Sequence, residues 1–153
     1  MSASSRTVGV IGLGIMGGAI SKNLSAAGWH VIGFDLDQAR CAEARAAGVE
    51  IADSAVAVAQ KAEHILLSLP NPYALTTTVN ALASGKLPRR IVAELSTFSL
   101  DDKTDAETVL RNAGHVMLDC PLSGTGSQAR TKDLIVYASG DSAAIKALSL
   151  IHI

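Results

Sequence analysis

Glycines 12, 14 and 17, in the run Gly12-Leu13-Gly14-Ile15-Met16-Gly17, have the spacing with which a chain grips a pyrophosphate through its own backbone. The chemistry is donation rather than nucleophilic attack. Amide N–H groups at the start of a helix point at the anion, and missing Cβ atoms let it come close. Gly12 is expected to make the tight turn out of a strand, Gly14 to meet the phosphates, and Gly17 to let the helix pack closely on the strand, with Gly18 tightening that contact. Leu13, Ile15 and Met16 complete the expected binding segment. Such a run is weak evidence alone, but Asp35 lies 18 positions beyond Gly17. An acid ending the next strand accepts hydrogen bonds from the ribose 2′- and 3′-hydroxyls and repels a 2′-phosphate. The expected cofactor is therefore NAD, with NADP the less favoured option. Arg40, a turn into the following helix, is expected on a solvated face.

Those residues need elements that hold them, and the hydrophobic pattern supplies an alternation of short apolar runs with helical stretches. Residues 7–11 form a first strand. Met16, Ala19, Ile20, Leu24 and Ala27 then fall on one helical face, which Gly28 closes. A strand at 31–34 leads to a helix capped by Asp37 that stops near Gly48, then to a short strand at 49–51. A helix at 54–62 precedes a strand at 64–69 that halts at Pro70, and 71–84 reads as helix. Strands at 91–95, 116–118 and 134–138 follow, with a helix from Ser99 to about Ala113 between the first two. This rhythm predicts an α/β fold with a doubly wound, mostly parallel sheet, a Rossmann dinucleotide-binding domain, in one unit over 6–147.

Composition narrows the partners. Among 153 residues, 13 basic and 14 acidic side chains leave a net charge of −1, without a basic run that could track nucleic acid or an anionic membrane. No stretch approaches the ~20 apolar residues of a spanning helix, and the polar opening does not read as a targeting signal, so a cytoplasmic protein is expected. Cys41 and Cys120 form no CxxC pair and read as buried thiols. His30, His64 and His115 each begin a strand, with no metal-ligand spacing. Asp101, Asp102, Asp105 and Glu107 suit the positive end of a helix dipole better than a metal.

Several separated segments together resemble the β-hydroxyacid dehydrogenase family, which includes 3-hydroxyisobutyrate and 6-phosphogluconate dehydrogenases. Val10 to Gly17, followed by Asn23-Leu24 and Gly28, resembles its opening. Leu69-Pro70 resembles a cofactor-contacting pair, and Glu94-Leu95-Ser96-Thr97 a segment beside the nicotinamide. Asp119-Cys120-Pro121-Leu122-Ser123-Gly124 resembles a substrate-binding segment. The resemblance implies that Leu69, Pro70 and Thr97 touch cofactor, while Ser123 with the Gly124 and Thr125 amides receives a substrate carboxylate. By spacing alone a plain Ser-Gly turn is the better reading of Ser123-Gly124. Thr125 stands where the family has a second glycine, Lys132-Asp133 where it commonly has glycine, and Ala74 departs from a family cofactor contact.

The family moves hydride between a small carboxylate-bearing alcohol or aldehyde and nicotinamide, with a lysine as proton donor or acceptor further along than this sequence runs. Lys146 comes too early to take that role, so no catalytic residue is assigned here. A helical substrate and dimerisation domain is likewise expected to be missing, and the full-length protein to be a homo-oligomer. The last six residues, 148–153, match one reading frame of CTGTCTCTTATACACATC, a transposase recognition end used in sequencing adapters, so native sequence is expected to stop near Ala147. The chain alone is expected to be poorly soluble and without turnover. An imine reductase on the same scaffold is the chemical rival, and a non-catalytic NAD-binding sensor the rival from another class.

Overall fold

In the computed structural model, residues 6–149 are described. Strands β1 (Thr7–Ile11), β2 (His30–Phe34), β3 (Glu50–Ile51), β4 (His64–Leu67), β5 (Ile91–Glu94) and β6 (Val116–Asp119) form one parallel sheet in the order β3-β2-β1-β4-β5-β6. Side chains alternate between its two faces, as the pleat requires. Val8, Val10, Val31, Leu66, Ala93 and Leu118 face one core, where helices α1 (Ile15–Ala26) and α2 (Gln38–Ala46) bring Ile20, Leu24, Cys41 and Ala44. Ile11, Ile32, Ile65, Leu67 and Val92 face the other, under α3 (Ala55–Lys61), α4 (Pro72–Ser84) and α5 (Leu100–Asn112). The predicted doubly wound fold is the observed one, and both cysteines are buried free thiols.

The order reverses direction between β1 and β4, which are paired in register from Gly9 with Ile65 to Ile11 with Leu67. Loops leaving the carboxyl ends of these two strands diverge to opposite faces and open a crevice, the standard ligand position in such sheets. The glycine run leaves the sheet there.

Two differences from the sequence expectation have local causes. Strand β4 ends at Leu67 rather than residue 69, because the Leu69 amide donates to the Ser96 hydroxyl at 3.0 Å instead of to a neighbouring strand. After β6 the chain forms β7 (Leu122–Ser123), a short helix α6 (Gly126–Arg130) and β8 (Ile135–Val136), the last pairing antiparallel with β7. A final helix α7 (Ser142–Ser149), whose Ala144 amide bonds the Asp141 carboxylate, packs Ala144 and Leu148 on the first core. Leu148 and Ser149, the start of the expected non-native tail, thus complete a helix, while 150–153 lie outside the described residues.

Candidate functional site

The glycine run is shaped by contacts that a side chain would destroy. A Cβ on Gly12, whose φ is +95°, would sit 1.9 Å from the Ser68 carbonyl oxygen, and one on Gly17 would sit 1.9 Å from that of Gly12. Neither could relax, because both neighbours are backbone. Gly14 differs: the nearest atom to its Cβ position is the Arg40 guanidinium at 3.5 Å, so the space beside it opens outward. Leu13 turns its side chain into the core against Gly33, leaving only its backbone at the turn. Ile15 is exposed and Met16 half-buried.

Gly14 caps α1 without any side-chain acceptor. Every other long helix start among the described residues has one: Asp37 on α2, Ser54 on α3, Asn71 on α4, Ser99 on α5, Asp141 on α7. A helix start carries partial positive charge and free N–H donors. At α1 those donors face the crevice, and the residues present fit a bound pyrophosphate.

Asp35 follows β2, as expected. Its Oδ2 accepts the Leu13 amide at 2.7 Å and its Oδ1 accepts the Asp37 amide at 2.8 Å, so the carboxylate is locked beside the turn. Each oxygen retains a lone pair for a further donor. Arg40 is exposed, as expected, yet it is not remote from the turn. Its guanidinium bends back to lie 3.9 Å from Asp35 Oδ2 and 3.9 Å from Asp37 Oδ2, over Gly14. With Gly14, Ile15, Lys22 and Arg130 it lines a groove of about 300 Å³.

Across the switch point, Leu69 lies 3.5 Å from the Gly12 Cβ position, and exposed Pro70 follows it. Thr97 is exposed on the loop from β5 to α5, next to the Ser96 that holds the Leu69 amide. The segment around Ser123 is brought to the same end, since Ile15 of the glycine run packs within 2.4 Å of the Gly126 Cβ position, and Asn23 of α1 donates to the Ala129 carbonyl at 2.7 Å.

Ser123 is exposed and Gly124 has φ +145°, but Thr125 has another job than the one expected of it. It is the N-cap of α6: its hydroxyl accepts the Gln128 amide, and its own amide donates to Gln128 Oε1 at 2.9 Å. This capping box occupies one of the three donors assigned to a substrate carboxylate, leaving the Ser123 hydroxyl and the Gly124 amide.

Sequence reading also missed a buried charge cluster. Lys103 of α5, 7% exposed, extends under the β5 and β6 ends to Ser96 O at 2.5 Å, Asp119 Oδ1 at 2.5 Å and Glu94 Oε2 at 2.7 Å. Glu94 is fully buried; its Oε1 accepts the Ser96 amide at 3.0 Å, and its Oε2, without a well-aligned hydrogen bond, is compensated by the ammonium. Burial pulls the Lys103 pKa down, but hydrogen bonds to Asp119 and Glu94 outweigh it and hold it above the usual lysine value. Burial, aided by Asp119, pushes the neighbouring Cys120 thiol up to about 11, so it is not a nucleophile at neutral pH. The legible signal was a lysine in register with Ala106 and Leu110 on the buried stripe of α5.

The family model for the NAD binding domain of 6-phosphogluconate dehydrogenase matches residues 7–151. Mouse mitochondrial 3-hydroxyisobutyrate dehydrogenase is 30% identical over 141 residues, which cover 90% of this chain and 42% of the mouse protein. The structure of Mycobacterium tuberculosis 3-hydroxyisobutyrate dehydrogenase with L-serine aligns with a TM-score of 0.91 at 27% identity, over 95% of this chain and 50% of that one. An imine reductase from Streptomyces aurantiacus shares the fold, with a TM-score of 0.87 at 21% identity. The chain thus spans only about half of the length of these proteins, from 42% to 52%.

Proposed function

This chain belongs to the family of the NAD-binding domain of 6-phosphogluconate dehydrogenase, and from that premise we propose that it is the cofactor half of an oxidoreductase acting on a small 3-hydroxy acid or its semialdehyde. One observation carries the reading: among the described residues α1 alone of the long helices offers uncapped amides, and it does so inside a glycine cradle at the switch point of the sheet. Bound nicotinamide dinucleotide supplies a hydride acceptor or donor. The chain's residues bind and orient it.

In this reading the Gly14, Ile15 and Met16 amides receive the pyrophosphate, and Gly12 and Gly17 keep the turn tight enough to present them. Asp35, anchored by the Leu13 and Asp37 amides, accepts from the adenosine ribose hydroxyls, which favours NAD over NADP. Leu69, Pro70 and Thr97 border the nicotinamide half. Ser123 and Gly124 offer donors to a substrate carboxylate, and Thr125 contributes only if Gln128 lets go of its amide. The proton donor is assigned to no residue of this chain. The whole enzyme is proposed to be a cytoplasmic homo-oligomer whose other half completes the substrate site; the relatives' unmatched length supports that division.

Calorimetric titration of the chain with NADH and NADPH tests the reading. Saturable NADH binding, tighter than that of NADPH, is the expected result. Absence of NADH binding up to about 1 mM, where the binding free energy is only ~4 kcal/mol, overturns it.

A further inference from the structure

Lys103 occupies a position that dinucleotide binding through the glycine run does not require. It sits wholly on the β4–β6 side of the switch point, and its three acceptors belong to the ends of β5 and β6. All three are oxygens of this chain, two accepting hydrogen bonds and the third, Glu94 Oε2, forming an ion pair. What it does follows from its connections.

The ammonium holds the Glu94 carboxylate, Glu94 holds the Ser96 amide, and the Ser96 hydroxyl holds the Leu69 amide. The same ammonium grips the Ser96 carbonyl from the other side and ties in Asp119, whose backbone forms a two-way bridge with Ser139 beside the β7–β8 hairpin. One charge therefore fixes the loop bearing Leu69 and Pro70, the loop bearing Thr97, and the start of the segment leading to Ser123. A largely buried network of ion pairs and hydrogen bonds restricts the loops it joins.

We propose that Lys103, with Glu94, is the positioning residue of the nicotinamide half of the site, setting the Leu69-Pro70 and Thr97 loops through Ser96 while leaving the adenosine half untouched. This rests on the dinucleotide reading above. The separation is physical: Asp35 and the glycine run belong to β1 and β2, and none of their polar contacts leads to Lys103. In a doubly wound sheet each half serves one mononucleotide, so loosening one should spare the other.

Removing Lys103 alone would strand a buried carboxylate and endanger folding. The test variant is therefore the double substitution Lys103→Met with Glu94→Gln, and a second is Ser96→Ala, which cuts the relay downstream without touching either charge. Each full-length variant and the parent chain are titrated with NADH and with ADP-ribose, the latter lacking nicotinamide. The proposal expects NADH affinity to fall about tenfold, the equivalent of one lost hydrogen bond, with ADP-ribose affinity unchanged within about twofold. Equal loss for both ligands, or no loss for either, overturns it. If the double variant does not fold, Ser96→Ala decides by the same criterion. A parent chain that binds ADP-ribose but not NADH refutes the positioning role directly, whereas one that binds neither refutes the dinucleotide reading and this role with it.

Discussion

At Asp35 a single carboxylate braces the glycine turn through the Leu13 amide, and in the proposed reading it also presents charge toward the adenosine side. Arg40, 3.9 Å away, partly offsets that charge, so the proposed preference for NAD over NADP would be a balance between two side chains. Asp35→Asn keeps the shape but removes the charge, and one amide oxygen cannot replace two carboxylate oxygens. We expect NADH affinity to fall about tenfold and the NADH-to-NADPH ratio to move toward unity, read by fluorescence titration. An unchanged ratio would mean that Asp35 does not select the cofactor. The position of Asp35 was legible because strand end, acid and spacing coincide in sequence. The exposure of Arg40 was legible too, but its approach to Asp35 was not, because an exposed side chain one helical turn in can lean either way.

Elements were legible wherever two periodic signals agreed with a cap. Asp37, Ser54, Asn71 and Ser99 each start a helix at the place the sequence indicates. The short pieces after β6 were less visible: a five-residue helix has too few positions to show a period, although Thr125 and Gln128 carry the capping-box spacing. Lys103 was hidden by its neighbours, since Asp101, Asp102, Asp105 and Glu107 make the start of α5 read as a solvated acidic face. A close approach between elements was equally invisible. Gly9 in β1 lets α3 settle on the sheet, and a Cβ there would lie 2.5 Å from Val58 Cγ1 and 3.3 Å from Ala62 Cβ. Gly9→Ala should therefore push α3 outward and cost about 1–3 kcal/mol, seen as a lower urea midpoint. An unchanged midpoint would show that α3 yields freely.

For the molecule as a whole, acid sensitivity is set at the opposite edge of the sheet from the cofactor crevice. His64 and His115 stand at the amino ends of β4 and β6, and burial lowers both pKa values below the ordinary 6.5. Glu63 partly opposes this at His64; at His115 the Leu82 carbonyl opposes it and Arg90 reinforces it. The His115 Nδ1 accepts the Arg90 amide at 3.1 Å, a bond that needs the unprotonated nitrogen. As pH falls below about 6.5 the unfolded chain takes up protons that the folded chain refuses, so stability present at neutral pH is lost on acidification. Melting temperature should drop between about pH 7 and pH 5, and the variant His64→Gln with His115→Asn should show a shallower drop. Parallel pH curves for parent and variant would remove the histidines from this account. Glu50, held below its usual value by Lys61 and then His30, adds a separate loss at lower pH, nearer the carboxylate range.

The bare start of α1 bears on what counts as the finished molecule. The six other helices among the described residues carry their closing acceptor in their own sequence, and this one leaves the place to whatever arrives from solution. A dinucleotide seated there would be a structural part as well as a reagent, completing a piece of secondary structure each time it binds and undoing it each time it leaves. A chain that supplied its own acceptor at Gly14 would be self-sufficient, and for that reason closed to its partner.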